Sequence, residues 1–306
     1  MQSVFPSDIS VSVSVSHPSS EDWIDLHTHS SASDGSDSPA MLLEKACGLG
    51  LSAIALCDHD TVSGLDEFLA AAGSGRITAV PGVEISTRLY QKELHIVGLF
   101  IHHRNGKLLE ALESIREARE KRNRLMVSGL RAAGYDITYD EVSALAGGES
   151  VGRPHIAGLL IRKGYFQTFQ EAFDHCLKRG TRTYVPRELM TPQEGIRLIH
   201  EAGGLAIWAH PIYRQSSERA FLRKFLKKLI SAGLDGVEAY YSMFSEEQRD
   251  LVCSVADELG LLISGGSDYH GTNQPGISLG SGCGNLKVPA VLLEKMKTRL
   301  RERDLI

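Results

Sequence analysis

The stretch WIDLHTHSSASDG, residues 23–35, puts two histidines one residue apart at the end of an apolar run and follows them with an aspartate. Residues two apart along a strand point the same way, so His27 and His29 are predicted to project together, with Asp34 a short loop away. Paired imidazoles beside a carboxylate are the donor types of a metal site. The same kind of ending recurs: Asp58 and His59 in LCDHD, Glu84 in PGVEIS, His95 in ELHIVG, His210 in WAHP, Asp268 and His270 in GSDYHG. Buried imidazoles and carboxylates are costly unless paired or coordinated, so packing alone does not account for the repetition. Imidazole and carboxylate donors without thiolate suit manganese, iron or zinc. Clustered ions of that kind activate water at neutral pH and neutralise phosphate oxygens, the chemistry of in-line attack on phosphorus.

These residues must be carried by a framework that brings strand ends together. From Trp23 the chain alternates short apolar strands (WIDLHTH, SAIALCDHD, ITAVPGVEIS, ELHIVGLF) with amphipathic helices. One helix opens at Ser38-Pro39, a good N-cap followed by a good first residue, and ends near Gly48–Gly50. This rhythm predicts a parallel α/β architecture, in whose barrel form the active site lies at the C-terminal ends of the strands. It breaks after His102. Residues 107–133 read as one long charged helix, followed by helical segments at 139–147, 154–163 and 168–178, with no strand until GLAIWAHP at 204–211. The expected organisation is a barrel of residues 22–102 and 188–290, a helical insert at 103–187 and a C-terminal helix at 291–306. Residues 1–21, with Val-Ser alternation in serine-rich surroundings, are expected to be a flexible extension.

Composition narrows the class. The 306 residues are 42% hydrophobic and 23% charged, as in ordinary globular proteins. A net charge of −5 excludes a global basic field, so contact with nucleic acid would need a local patch. Five scattered cysteines without a C-x-x-C pair fit reduced thiols in the cytoplasm. No apolar run is long enough to span a bilayer, and the N-terminus lacks the basic and apolar regions of a signal peptide.

The series DLHTHSSASDG, ALCDHDT, PGVEIS, HIVGLF, AHP and GSDYHG resembles the motifs of the PHP (polymerase and histidinol phosphatase) family over residues 22 to about 275. The insert and GRPHIA resemble its bacterial branch that acts on 3′,5′-bisphosphonucleotides and short RNA 5′ ends. The resemblance implies a distorted seven-stranded β/α barrel holding up to three divalent metals, manganese or iron before zinc. His27, His29, Glu84 and Asp268 would hold one ion. Glu84 would bridge to a second on His95 and His210, and Asp34, His59 and His270 would hold the third. Asp268 and His210 would also act in catalysis, with Arg153 and His155. Asp58 is expected either to orient a ligand or to cap the following turn. Cys57, where the family has threonine, should point away from Asp58 and pack as a small core residue.

Substrate phosphates need further donors. Arg153 can grip a phosphate through two parallel bonds, His155 could donate or carry a proton, and Arg214 is a second cation. Where relatives read GKPGYV this chain has GTRTYV, so Thr181 stands at the expected lysine and Arg182 beside it could substitute. Arg119, Arg122 and Arg124 on the long helix read either as a solvated, ion-paired face or as guides for an RNA 5′ end. The expected activity is hydrolysis of phosphate esters by metal-activated hydroxide. The expected partner is a small nucleotide or short oligonucleotide, with no membrane and no stable nucleic-acid complex. Histidinol-phosphate phosphatase, a metal-dependent amide hydrolase and a metal-binding module without turnover are the alternatives.

Overall fold

The computed structural model describes residues 22–303 apart from 74, 76, 91, 147–150 and 213–217. The expected extension and Arg214 therefore lie outside the described residues. The barrel strands are β1 (Trp23–Thr28), β2 (Ala53–Leu56), β3 (Thr78–Leu89), β4 (Lys92–Leu99), β5 (Leu205–Trp208), β6 (Gly236–Tyr241) and β7 (Leu262–Gly266). An eighth strand of two residues, β8 (Val288–Pro289), pairs with β1, giving the order β7-β6-β5-β4-β3-β2-β1-β8. The sheet closes where β1 meets the end of β7: Asp268 N donates to His27 O at 2.8 Å and His29 N to Tyr269 O at 2.9 Å. A Cβ on Gly266 would collide with the backbone nitrogen and Cβ of His27, so this seam requires glycine.

The parallel expectation needs one correction. β4 runs antiparallel to both β3 and β5, because β3 and β4 are joined by a tight hairpin at Tyr90 (φ +56°) without a crossover helix, and only a crossover can make neighbours parallel. His95 therefore lies in the first half of β4, opposite Ser86, and not at a C-terminal end. Reversal of the strand carries it to the same mouth as the other donors. Two strands bulge beside the site, β1 between Asp25 and Thr28 and β6 between Glu238 and Tyr240. A bulge re-aims side chains, and these two aim His27 and Glu238.

Outside the sheet lie α1 (Pro39–Gly48), capped by Ser38 as predicted, α2 (Leu65–Ala72), and, further along the chain, helices at Pro192–Glu201, Arg219–Ile230, Glu246–Leu259 and Val291–Glu302. Leu42, Phe68, Ile199, Trp208, Leu222 and Val252 form the main apolar layer between strands and helices. Between β4 and Pro192 the described chain is helical: α3 (Gly106–Ala132), α4 (Tyr139–Ala146), α5 (Arg153–Arg162), α6 (Phe169–Ala172) and a π-turn at Phe173–Leu177. Along α3 the core changes hands. Leu108, Leu112 and Ile115 pack into the barrel layer, while Met126, Val127 and Leu130 join a separate core with Ile156 and Leu160. In chain order the last four helices are α7 to α10. Among the described residues, no helix is long and apolar enough to cross a membrane.

At the end of the barrel away from the metal donors, Asp235 precedes β6 and ties three elements. It accepts from Ala206 N and His200 Nε2, each at 2.8 Å, and from Arg303. Burial alone would raise its carboxyl, but His200, the Ala206 amide and Arg303 hold it below its ordinary value of 3.8. A depressed carboxylate stabilises the fold above that value and loses the effect as pH falls through its lower native value. Asp235→Ala should therefore lower stability at pH 7 by about 1–3 kcal/mol. In denaturant titrations the gap from the wild type should narrow below pH 4, and metal content should be unchanged.

Candidate metal centre

Glu84, in the middle of β3, has no exposed surface and five imidazoles around it. Oε1 lies 2.9 Å from His95 Nδ1 and 3.1 Å from His210 Nε2. Oε2 lies 2.8 Å from His59 Nδ1 and 3.4 Å from both His27 Nε2 and His29 Nε2. Asp268 Oδ1 adds 3.1 Å to His29 Nε2 and 3.6 Å to His27 Nε2, and Asp34 Oδ1 lies 3.3 Å from His270 Nε2. All nine residues picked from the sequence come together at the mouth.

Among the described residues, donor atoms within reach of a common ion fall into three groups: His27, His29, Glu84 and Asp268; His29, Asp34, His59 and His270; and His59, Glu84 and His95. The first matches the ligand set implied by the resemblance. In the second His29 joins the expected three. In the third His59 stands beside Glu84 and His95, while His210 reaches the same Glu84 oxygen as His95. The donors fit divalent ions. Close as they lie, His27 Nε2, both nitrogens of His29, His59 Nδ1 and Glu84 Oε2 are buried and make no well-aligned hydrogen bond among the described residues, a costly arrangement that coordination would resolve.

The electrostatics are those of opposed charges held out of water. Burial alone would raise the Glu84 carboxyl, but His59, His95 and His27 keep it well below the ordinary range. Burial would lower His95 and His270; Glu84 and Asp34, respectively, push each up to about 10. Burial and the neighbouring His270 and His59 push His29 down to about 3.

A supporting layer fixes the donors, and most of it was not singled out in the sequence. Glu238 accepts from His27 Nδ1 at 2.9 Å and from the His210 backbone N–H at 2.8 Å, which leaves His27 Nε2 free to face Glu84. Three buried aspartates each hold a serine by its N–H and its hydroxyl. Asp25 takes Ser267 (2.8 and 2.6 Å), Asp58 takes Ser30 (2.7 and 2.6 Å), and Asp60 takes Ser86 (2.7 and 2.9 Å). Asp58 also accepts from Ser33 Oγ at 2.5 Å, so it anchors the loop carrying Asp34; burial raises it to about 6 despite these bonds. Asp25 and Glu238 were visible as acids inside apolar strands, a pattern that burial without a partner forbids. His210, Asp268 and Asp60 have positive φ (34°, 56° and 54°), strain that persists where surrounding contacts impose it. Cys57 is buried, with its thiol pushed up by burial and bonded to Leu26 O.

Two cavities adjoin the donors. One of about 480 Å³ is lined by His59, His95, His210, Asp268, Trp208, Tyr241, Lys92 and Arg153. A smaller one, about 120 Å³, is walled by Arg119, Arg122, Arg153, Arg187, Arg88 and Tyr184, with Asp34 and His95. Arg153 borders both. Arg119 and Arg187 pair with buried Asp60, and Arg187 also with Glu93 at 3.2 Å. Burial, with Arg153, Arg187 and Arg119 nearby, pushes Arg122 down to about 9. Arg124 is ion-paired to Glu120 on the exposed face of α3. Arg182 is exposed and outside both linings, and Thr181 donates to Lys178 O; the arginine of this segment that reaches the cavity is Arg187. His155 is half-buried, its Nδ1 accepting Gly152 N–H at 2.9 Å.

A barrel with imidazoles and carboxylates gathered at its mouth defines a metal-dependent hydrolase. The sequence pattern of the PHP domain matches residues 25–187, and the chain belongs to that family. It is 39% identical to a 5′-3′ exoribonuclease of Haemophilus influenzae over 246 residues, 80% of this chain and 89% of that one. It is 33% identical to a 3′,5′-nucleoside bisphosphate phosphatase of Chromobacterium violaceum over 84% of this chain and 90% of the other. A structure described as a metal-dependent phosphoesterase from Bifidobacterium adolescentis superposes with a TM-score of 0.80 at 29% identity, covering 91% of this chain and 96% of that one.

Two outcomes are expected. Reconstituted wild type should carry up to three divalent ions per chain by elemental analysis, and Glu84→Gln should lose more than any other single donor change because its two oxygens serve different imidazole sets. Normal metal content in Glu84→Gln would contradict that placement. Asp60→Ala removes a buried carboxylate from two arginines and should cost about 3–5 kcal/mol, measured from the denaturant midpoint.

Proposed function

We propose that the chain hydrolyses phosphate esters of small nucleotides, namely 3′,5′-bisphosphonucleotides or the 5′ ends of short RNAs. The observation that carries this reading is the pairing of a cluster of metal-donor side chains with an adjoining arginine-walled cavity, with Arg153 common to both cavities. The names of the two curated relatives agree with it.

Ions would be held by His27, His29, Glu84 and Asp268, by Glu84 with His95 and His210, and by Asp34, His59 and His270. The donor types suit manganese, iron or zinc, and the family resemblance favours manganese or iron. When bound, they supply activated water and countercharge for the phosphate under attack. The side chains do the rest. Asp268 and His210 line the larger cavity and face the reacting ester, with Tyr241 Oη donating to Asp268 at 3.1 Å. Arg119, Arg122, Arg153 and Arg187 grip the phosphate that is not cleaved. His155, whose Nδ1 is occupied by Gly152, offers an Nε2–H as donor. The barrel (22–102 with 188–290) thus supplies the metal donors and the insert (103–187) supplies those four arginines. A monophosphate such as histidinol phosphate would leave the arginine cavity without its anion. With all five cysteines free, we place the enzyme in the cytoplasm.

A panel of phosphomonoesters, 3′,5′-bisphosphonucleotides and 5′-phosphorylated oligoribonucleotides with Mn²⁺ tests the reading. Turnover should be greatest on substrates with two phosphates and vanish on chelation; no turnover by fully metal-loaded protein would refute it. Arg153→Ala should keep its metals yet lose roughly ten- to a hundredfold in kcat/KM, as expected for a charge-assisted contact of about 1.5–3 kcal/mol. Arg153→Lys should recover only part of this.

A further inference from the structure

The larger cavity does not end at the metal donors. Lys92, at the start of β4, lines it and places its ammonium 4.6 Å from the Phe221 ring and 6.0 Å from that of Phe225, both on α8. The two rings lie 4.4 Å apart, and Phe225 stacks against Trp208, itself part of the cavity wall. Beyond Lys92, Tyr90 at the hairpin tip is 69% exposed. Lys228 lies 4.2 Å from its ring and donates to its hydroxyl at 2.6 Å, and Lys224 is close enough, with Lys228, to lower the Tyr90 phenol. On the same helix Arg219 and Arg223 are tied to Glu258, so the positive charge toward the hairpin comes from the lysines. Cations alternating with aromatic faces along an open track are what single-stranded nucleic acid requires, because phosphates meet the charges and bases of any sequence stack on the rings.

We propose that the track formed by Lys92, Phe221, Phe225, Tyr90, Lys224 and Lys228 binds the single strand on the 3′ side of the cleaved bond. The inference rests on the nucleotide reading above and adds a direction to it. The arginine cavity adjoins the larger one across His59, Glu93, His95 and Arg153, which line both, while Lys92 and Trp208 line only the larger one. A strand with its 5′ phosphate among the arginines and its first phosphodiester beside His95 and His210 continues into the larger cavity, which those two histidines line. It therefore passes Lys92 and reaches the hairpin tip a few nucleotides later. A substrate of one nucleotide ends before that point.

The test compares kcat/KM on a 5′-phosphorylated hexaribonucleotide with that on a 3′,5′-bisphosphonucleotide, for wild type, Lys224→Glu/Lys228→Glu and Tyr90→Ala. Circular dichroism melts verify that each variant is folded. The hexamer-to-mononucleotide ratio should fall in both variants, by roughly five- to a hundredfold in Tyr90→Ala for loss of one stacked base. Tyr90→Phe should keep most of it. The double lysine variant should also flatten the salt dependence, by about 0.7 in log–log slope for each phosphate no longer neutralised. An unchanged ratio in both variants overturns the proposal. Anisotropy of a labelled hexamer on the chelated protein separates this from the nucleotide reading. If wild type binds the hexamer and the lysine variant does not, the track stands even if no nucleotide is turned over. Equal binding by both, or a preference of the same surface for a polyanionic peptide over the hexamer, rejects it.

Discussion

A carboxylate with no exposed surface and imidazoles on both of its oxygens fixes the architecture around it. Glu84 can be buried as an anion only if polar partners reach both of its oxygens, and those partners are five imidazoles on β1, its following loop, the β2 end, β4 and the β5 end. Those elements must therefore converge. The antiparallel β3–β4 hairpin is one consequence. It sets His95 two positions across the ladder from Glu84, at Ser86, where a crossover connection would have sent the fourth strand in the opposite sense.

The strand ends that carry the donors are irregular, and the three serine–aspartate clasps explain how irregular backbone is held still. Each clasp satisfies a buried N–H and a hydroxyl with one carboxylate, and each adjoins a donor. Ser30 follows His29, Ser267 precedes Asp268, and Ser86 lies two residues beyond Glu84. Fully satisfied polar networks of this kind specify one geometry, whereas partly satisfied ones cost more than an apolar core. The positive φ values at His210 and Asp268 are sustained by the same means, through Glu238 on the His210 amide and the His27 carbonyl accepting from Asp268 N.

Most of the donor set was legible because imidazoles and carboxylates at the ends of apolar strands are too costly to bury unless they pair or coordinate. Local patterning also located α1, down to its Ser38 cap, and α3 to within a residue at each end. Strand direction was not legible. β4 has the same apolar character whichever way it runs, and only the shortness of the link at Tyr90 betrays the hairpin. Asp25 and Glu238 escaped notice because a lone acid in a strand has no periodic signature, and Asp60 because it sits in the turn after β2; the partners of all three are set by tertiary contacts more than twenty residues away in sequence. Arg187 was missed in favour of Arg182 for a related reason. The two differ by five positions in an irregular segment, and only the fold decides which one turns inward.

Charge also ties the barrel to the helices. At the barrel mouth Asp34, Asp60 and Glu93 face arginines from the helical segment. Arg119 and Arg187 are held by Asp60, whose carboxylate also clasps Ser86 on β3. One buried anion thus fixes both the arginine wall and the strand that carries Glu84. The wall cannot shift without loosening that strand. Because α3 contributes Leu108, Leu112 and Ile115 to the barrel layer as well as Met126 onward to its own core, a rigid helix transmits the same constraint. The distance between the arginines and the metal donors is therefore set by packing as well as by charge. Two anionic groups on one small molecule would be recognised together only if that distance is fixed.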